Sequence, residues 1–459
     1  MSNMDSYVNS IVKEIMKTIS SSDSCKCVFD TVDEAVDTAF AAQKEFVKLT
    51  FEHRAKILDA VRKVGMDYAE ELSVLAVEET QMGNVPDKIL KNQLVATKTP
   101  GIEDLRTEST TGDSGLTLNE MSPFGVIGAI TPVTNPTETV ICNTIGMLAA
   151  GNSVVFMPHP RAKNVSKRVV ELICNAIKEA GGPAGLITTL ENPTMESVQE
   201  VMKHKKINML VATGGPGVVN SVLSSGKKAI GAGAGNPPVV VDDTADIEKA
   251  AKDIVSGASF DNNLPCISEK EVIALENICD FLIFQMQANG AHLITDKNDL
   301  TKLEKTVLEN GNPHKDFIGK SAKHILSAAG LSHKDCTKLV IMEVDASHPF
   351  VQKEMMMPVL PIVRVKNITE AIETACACEH GYRHTAIMHS KNIDHLSALG
   401  KAIQTTIFVK NGPSYAGIGV GGEGYTTFTI AGPTGEGLTS AKDFARKRRC
   451  VLVDCFNIR

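Results

Sequence analysis

The feature that most restricts this chain is a succession of short β-branched runs separated by stretches of helical periodicity. "GVIGAIT" (125–131), "SVVFM" (153–157), "LITTL" (186–190), "NMLVAT" (208–213) and "AIGAG" (229–233) alternate with helices starting near Thr137 and spanning about 164–180. Strand, helix, strand at this interval cannot form hairpins, so the strands must run parallel with helices covering both faces. A second alternating region begins at "PPVVVDD" (237–243) and continues through a helix near 246–258, "EVIAL" (271–275), a helix near 276–289, "PVLPIVRV" (358–365) and "TTIFVK" (405–410). The pattern predicts two doubly wound α/β units.

Ahead of them, "TVDEAVDTAFAAQKEFVKL" opens a helix with Thr31 as N-cap and Glu34 three residues on, and helix continues to about Thr99. "GLTLNEMSP" (115–123) and "CVLVDCF" (450–456) read as exposed β segments and predict a protruding sheet that pairs between subunits. Residues 4–19 form an amphipathic stripe, with Val8, Ile11, Val12, Ile15, Met16 and Ile19 on one side, followed by the breaker "SSSDSC". Such a helix must bury its apolar side on its own body or on a partner.

At 459 residues the chain exceeds what one core serves. A net charge of −7 with scattered Lys and Arg offers no footprint for nucleic acid or an anionic membrane. Eleven cysteines without disulfide-scaffold spacing, with no leader and no long apolar run, predict a reducing cytoplasm. The close pairs Cys25/Cys27 and Cys376/Cys378 lack the second pair or histidines of a zinc site, so no metal is expected.

"FDNNLPCISEK" (260–270) sets Cys266 after a proline in a polar turn, ahead of a strand or helix whose amides could lower its pKa. Locally, such a thiol is a small buried hydrophobe as readily as a nucleophile. Read in order, "TPVTNP" (131–136), "VVFMPHP" (154–160), "ATGGPG" (212–217), "GAGAGNPP" (231–238), "NNLPC" (262–266), "EMMMPVLP" (354–361) and "GGEGYTTFTIAGPTGEG" (421–437) resemble the blocks of the aldehyde dehydrogenase superfamily, and most of all its coenzyme A-acylating branch. The resemblance runs from about Val28 to Arg459.

The resemblance implies an aldehyde dehydrogenase-like fold: an NAD- and CoA-binding domain at 28–235 with a return at 410–438, a catalytic domain at 236–409, and an oligomerisation arm from 112–124 and 439–459. It implies that the Cys266 thiolate attacks a short-chain aldehyde, with Asn135 or Thr134 and the Cys266 N–H facing the oxyanion. His384 would accept the thiol proton, titrating near neutrality, or contact coenzyme A. Cofactor contacts would fall on Thr131, Pro132, His159, Pro160, Thr213, Gly214, Gly215, Gly217, Gly233, Ala234 and Glu354, the last holding the nicotinamide ribose. The base that activates water in hydrolytic relatives falls on Gly231, which spares an acyl enzyme for coenzyme A. Where the family has Lys-Pro with a glutamate shortly after, this chain reads Met157-Pro158-His159-Pro160-Arg161, without that lysine or carboxylate, so NAD is expected with NADP possible.

The expected product is therefore acyl-CoA from a C2 to C4 aldehyde, propionaldehyde preferred. A hydrolytic dehydrogenase giving a carboxylic acid and a silent scaffold are the alternatives. The resemblance of residues 4–19 to encapsulation peptides implies docking on a shell protein inside a bacterial microcompartment. A homo-oligomer, dimer or tetramer, is expected.

Overall fold

The computed structural model describes residues 25–456 and 458. The amphipathic segment 4–19 lies outside the described residues.

Six parallel strands form the first sheet, in the spatial order Val28–Phe29, Ile187–Leu190, Ser153–Pro158, Val126–Thr131, Ile207–Thr213, Lys228–Ala232. Every residue of Val126–Thr131 and Ser153–Pro158 is buried, which is why these strands read as unbroken apolar runs rather than as alternation. The chain winds outward in one direction from Val126–Thr131, then returns to its other side for Ile207–Thr213. Doubly wound sheets open a crevice where the winding reverses, at the carboxyl ends of those two strands. Thr131 and Thr213 stand at that crevice.

Seven parallel strands form the second sheet: Ala291–Ile294, Leu339–Glu343, Val359–Val365, Glu271–Leu275, Pro238–Val241, Thr385–His389, Ile407–Lys410. Four adjacent strands of this sheet are each entered by a residue of interest: Glu354 before Val359, Cys266 before Glu271, Gly235 before Pro238 and His384 before Thr385. Neighbouring parallel strands begin side by side, so residues as far apart in sequence as Gly235 and His384 become neighbours in space.

Glu108–Gly112, Gly115–Pro123 and Ala445–Val453 make a separate antiparallel sheet, with Ala445 opposite Pro123 and Val453 opposite Gly115. The sheet includes a first strand, Glu108–Gly112, that the sequence does not announce because "ESTTG" carries no apolar alternation. Its last strand covers Ala445–Val453 rather than 450–456, since "ARKRR" looks like a charged loop until it pairs. Val451 and Val453 on it are 56% and 60% exposed. At the other end of the chain, Thr31 caps helix Val32–Phe46 as expected, its Oγ1 accepting from the Glu34 N–H at 3.4 Å.

Candidate active site

The first sheet's crevice and the amino edge of the second sheet enclose a cavity of about 620 Å3. Its nucleophile sits on a backbone with a specific local cause. Asp261, Asn262 and Asn263 are all left-handed, with φ of 45°, 54° and 63°. Asn and Asp tolerate that region better than other side chains with a Cβ, and here they also stitch the loop in place. The Asn263 amide donates to the carbonyls of Ala258 and Glu269, each at 2.9 Å, and the Asn262 amide donates to those of Gly83 and Gly319 at 3.1 and 2.8 Å. Lys270, buried, donates from Nζ to Asn263 Oδ1 at 2.6 Å. The turn that follows closes with the Ser268 N–H on the Pro265 carbonyl at 3.0 Å and presents Cys266 to the cavity.

The thiol is not depressed, contrary to the sequence-based expectation. No helix starts at Cys266, which lies in a turn ahead of strand Glu271–Leu275, and burial together with the nearby Glu354 carboxylate pushes the thiol up to about 12. It therefore rests protonated and needs an acceptor. His384 is 2% exposed and lines the same cavity. Its Nδ1 lies 2.9 Å from Thr385 Oγ1, while the buried Nε2 has no partner in the protein. Burial, aided by the Lys270 charge, lowers it to about 4 rather than leaving it near neutrality, so the ring is uncharged at physiological pH. Only a glycine fits between ring and nucleophile: a Cβ on Gly235 would stand 2.8 Å from His384 Cγ and 2.9 Å from the Cys266 carbonyl oxygen.

Across the cavity, "TPVTNP" ends in Asn135, which caps helix Pro136–Ala149. Lys91 Nζ donates to Asn135 Oδ1 at 2.5 Å, and Asn135 Nδ2 lies 3.3 Å from Thr134 Oγ1. Lys88 Nζ takes the Thr134 carbonyl at 3.0 Å. Both lysines also reach Asp261 Oδ2, at 2.5 Å from Lys91 and 3.2 Å from Lys88, and Glu138 Oε1 lies 3.0 Å from Lys91. Sequence reasoning missed these residues, because lysine at helical spacing is ordinarily a solvated face.

The remaining wall is mostly main chain. Thr213, Gly214, Gly215, Ala232, Gly233 and Ala234 line it, and Gly215 precedes helix Pro216–Leu223 without any side-chain cap on the first amides. A Cβ at Gly215 would meet nothing within 4 Å. The Gly214 N–H is donated to the Ala232 carbonyl at 3.1 Å, so what the turn offers a dinucleotide pyrophosphate is the uncapped start of the helix beside open space. Pro132, His159 and Glu354 line the cavity too, as does Arg161, which the sequence did not single out for it. Burial raises Glu354 to about 6 against the pull of Lys270, and its carboxylate accepts from the Gly235 backbone N–H.

Three expected contacts are not among the lining residues: Thr131, Pro160 and Gly217. Thr131 is buried beneath the crevice, Pro160 is exposed beside it, and Gly217 has already turned into the helix. Gly231 is a further correction. A Cβ there would point at Val219 Cγ1, 2.8 Å away, whereas Ala232 is the residue of that strand that faces the cavity. Alternation along a strand decides which of two adjacent residues is presented, and a shift of one residue is invisible in sequence. Among the described residues no group of three His, Cys, Asp or Glu is placed to hold a metal ion.

Residues 13–432 match the model of the aldehyde dehydrogenase family. The chain is 49% identical to the CoA-propanoylating propanal dehydrogenase of Salmonella typhimurium over 95% of this chain and 94% of that one. It is equally 49% identical to the acetylating acetaldehyde dehydrogenase EutE of the same organism, over 94% and 93%. Among solved structures, propionaldehyde dehydrogenase of Rhodopseudomonas palustris with bound propionyl-CoA superposes with a TM-score of 0.94 at 57% identity, covering 95% of this chain and 98% of that one. The same relative has been solved with CoA and an acylated cysteine. A propionaldehyde dehydrogenase from a fucose-utilisation microcompartment of Clostridium phytofermentans gives 0.93 at 52% identity, covering 94% and 99%. Variants of that protein have been solved with a cysteine and a histidine replaced, the two lying as far apart in its sequence as Cys266 and His384 do here.

Proposed function

The chain belongs to the aldehyde dehydrogenase family, and we infer from that membership and from the cavity that it is a CoA-acylating aldehyde dehydrogenase: short-chain aldehyde, coenzyme A and NAD give acyl-CoA and NADH. The observation that carries this reading is a thiol beside an uncharged histidine, on a wall whose 232–234 segment is Ala-Gly-Ala and offers water no base.

His384 Nε2 takes the Cys266 proton as Sγ attacks the carbonyl carbon. Negative charge gathers on the former carbonyl oxygen of the thiohemiacetal, facing the Asn135 amide and the Cys266 N–H. Asn135 is favoured over Thr134 because the Lys91 ammonium occupies its carbonyl, while its N–H2, one proton of which goes to Thr134 Oγ1 at 3.3 Å, keeps a second N–H to offer the oxyanion. The dinucleotide, when bound, supplies the hydride acceptor. Thr213, Gly214 and Gly215 would hold its pyrophosphate, Glu354 its nicotinamide ribose, and Pro132, Gly233 and Ala234 would pack beside it. His159 and Arg161 would border the adenosine end, with no carboxylate to reject a 2′-phosphate, so NADP is admitted less well rather than barred.

Loss of hydride leaves an acyl thioester on Cys266. A thiol needs far less base assistance than water to attack it, so coenzyme A is the acceptor: His384, having passed its first proton to solvent, takes the CoA thiol proton as the CoA sulfur bonds the acyl carbon, and returns it to the Cys266 thiolate expelled when the acyl–Sγ bond breaks. Glu354 already accepts from Gly235 and lies next to the resting thiol, where it raises the Cys266 pKa instead of serving the acceptor. Thr427, Phe428, Ile418 and Ile430 give the acyl chain an apolar recess suited to C2 to C4, with propionaldehyde preferred. The closing assay follows NADH from propionaldehyde with and without coenzyme A. Formation that requires CoA and disappears in Cys266→Ala supports the reading. Acid produced without CoA would instead favour a hydrolytic enzyme, and activity in Cys266→Ala would overturn it.

The catalytic and cofactor domains are read as residues 236–409 and 28–235 plus 410–438. The exposed valines of the arm would pair with a second copy, giving a dimer or tetramer that light scattering would count. Residues 4–19 would dock on a microcompartment shell protein, as the similarity to the C. phytofermentans enzyme supports. Deleting 1–19 should then abolish co-assembly with shells while sparing turnover.

A further inference from the structure

The buried charges on helix Val85–Lys98 serve no ligand-facing role, yet they meet the two residues disputed for the oxyanion. Lys88 and Lys91 are three apart, so they share one face of that helix. Both are buried completely. They grip consecutive residues of the cavity wall: Lys88 the main-chain oxygen of Thr134, Lys91 the side-chain oxygen of Asn135.

An ammonium is a donor only, so the atom that Lys91 touches at 2.5 Å must be the amide oxygen. That settles an orientation which an isolated asparagine leaves open, and it turns the N–H2 away from Lys91, with one N–H donated to Thr134 Oγ1 at 3.3 Å and the other left for a ligand. Burial opposes the charge on Lys91, but Asp261 and Glu138 more than compensate and hold it protonated. Asp261 ties the same cluster to the nucleophile's loop. Its Oδ2 accepts from both lysines, its Oδ1 accepts the Asn84 N–H at 2.8 Å, and its own N–H donates to Asp87 Oδ2 at 2.7 Å. Gly83 is required for this approach, since a Cβ there would lie 2.1 Å from Asp261 Oδ1. One carboxylate thus links the loop that carries Cys266 to the helix that aims Asn135.

We propose that Lys91 is a positioning residue for the oxyanion site: through its ammonium it fixes the Asn135 amide with the N–H2 toward the reacting carbonyl, and through Asp261 it sets that amide's distance from the Cys266 loop. This rests on the acylating reading of the cavity.

The test is a double-mutant cycle on the full-length protein. Lys91→Met and Asn135→Ala should each lower kcat with propionaldehyde by about 10²–10³-fold, the loss typical of one oxyanion donor. KM for NAD should move by less than about 3-fold, and the double variant should be no slower than the worse single, because both remove one function. A purely structural lysine would give multiplied losses. Lys91→Met leaves Lys88 alone against two buried carboxylates, Asp261 and Glu138, so Lys91→Met/Asp261→Asn, which keeps the charge balanced, is the second variant. It should fold and show the same kcat deficit while its Cys266 still reacts with iodoacetamide at the normal rate. Normal kcat in either folded variant, or multiplicative losses with Asn135→Ala, would overturn the proposal. Cys266→Ala reports separately: were it active, the acylating reading would fall, whereas inactive Cys266→Ala with fully active Lys91 variants sinks only the role of Lys91.

Discussion

On the side of the first sheet the cavity is walled mostly by main chain: Thr213 to Gly215 and Ala232 to Ala234 present small residues, tied to each other by the Gly214 N–H on the Ala232 carbonyl, and, at Gly215, open space. On the side of helix Val85–Lys98 and the Cys266 loop it is walled by side chains, and the buried Lys88, Lys91, Asp261, Lys270 and Asn263 hold the segments that carry Asn135 and Cys266. The two walls are built for different tasks. A bare wall admits large ligands of different outline in turn, as a dinucleotide and coenzyme A require. A charge-locked wall holds a thiol, an amide and an imidazole in one arrangement, which a transition state demands and a ground-state ligand does not.

Substitutions on the two walls should therefore differ in kind. The largest effect belongs to Asn135→Ala on the locked wall, where kcat for CoA-dependent NADH formation should fall about 10²–10³-fold with KM for NAD little changed. A loss confined to KM would erase the distinction. Next, His384→Ala should slow both proton transfers, and rapid-quench measurement of acyl-enzyme thiolysis should show a deficit of about 10²-fold. Full thiolysis would remove the histidine from the mechanism.

The same histidine gives the locked wall a cost in acid. Its folded pKa of about 4 lies below the unfolded value of about 6.5, so the unfolded chain binds the proton first. Its contribution to stability is whole above pH 6.5 and is lost as pH falls toward 4, to the extent of about 3 kcal/mol. Denaturant titrations should show His384→Gln losing less stability across that interval than the parent, with His389, also held near 4 by burial, accounting for part of the remainder. The smallest effect is expected on the bare wall. Gly215 has a φ of −66° and free space where a Cβ would go, so Gly215→Ala should shift KM for NAD or CoA by less than about 3-fold. A large shift would mean that this wall is as closely fitted as the other.

What the sequence disclosed follows the same division. The strands and the glycine turns of the bare wall are written in local chemistry: apolar runs buried on both faces, and glycine where the backbone is approached. Cys266, Asn135 and His384 were found through the blocks around them. The locking residues were not, because Lys88 and Lys91 look like any exposed helical lysines until Asp261, 170 residues from Lys91, arrives beside them. Leu339–Glu343 and Thr385–His389 were passed over since "KLVIMEV" and "HTAIMHS" are short and flanked by polar residues. The thiol's raised pKa depends on enclosure by Glu354 and on burial, neither of which is local.

The return of the chain has a consequence for synthesis. The first sheet ends at Ala232, but its helix Pro136–Ala149 is sealed by Phe444, which lies against Gly146, and Asn152 is satisfied by the Phe444 carbonyl at 2.9 Å. Thr429 hydroxyl likewise reaches Thr213 at 2.9 Å. A ribosome must therefore release nearly the whole polypeptide before the early half can close, and until then the reactive sulfur is carried by an unfinished body.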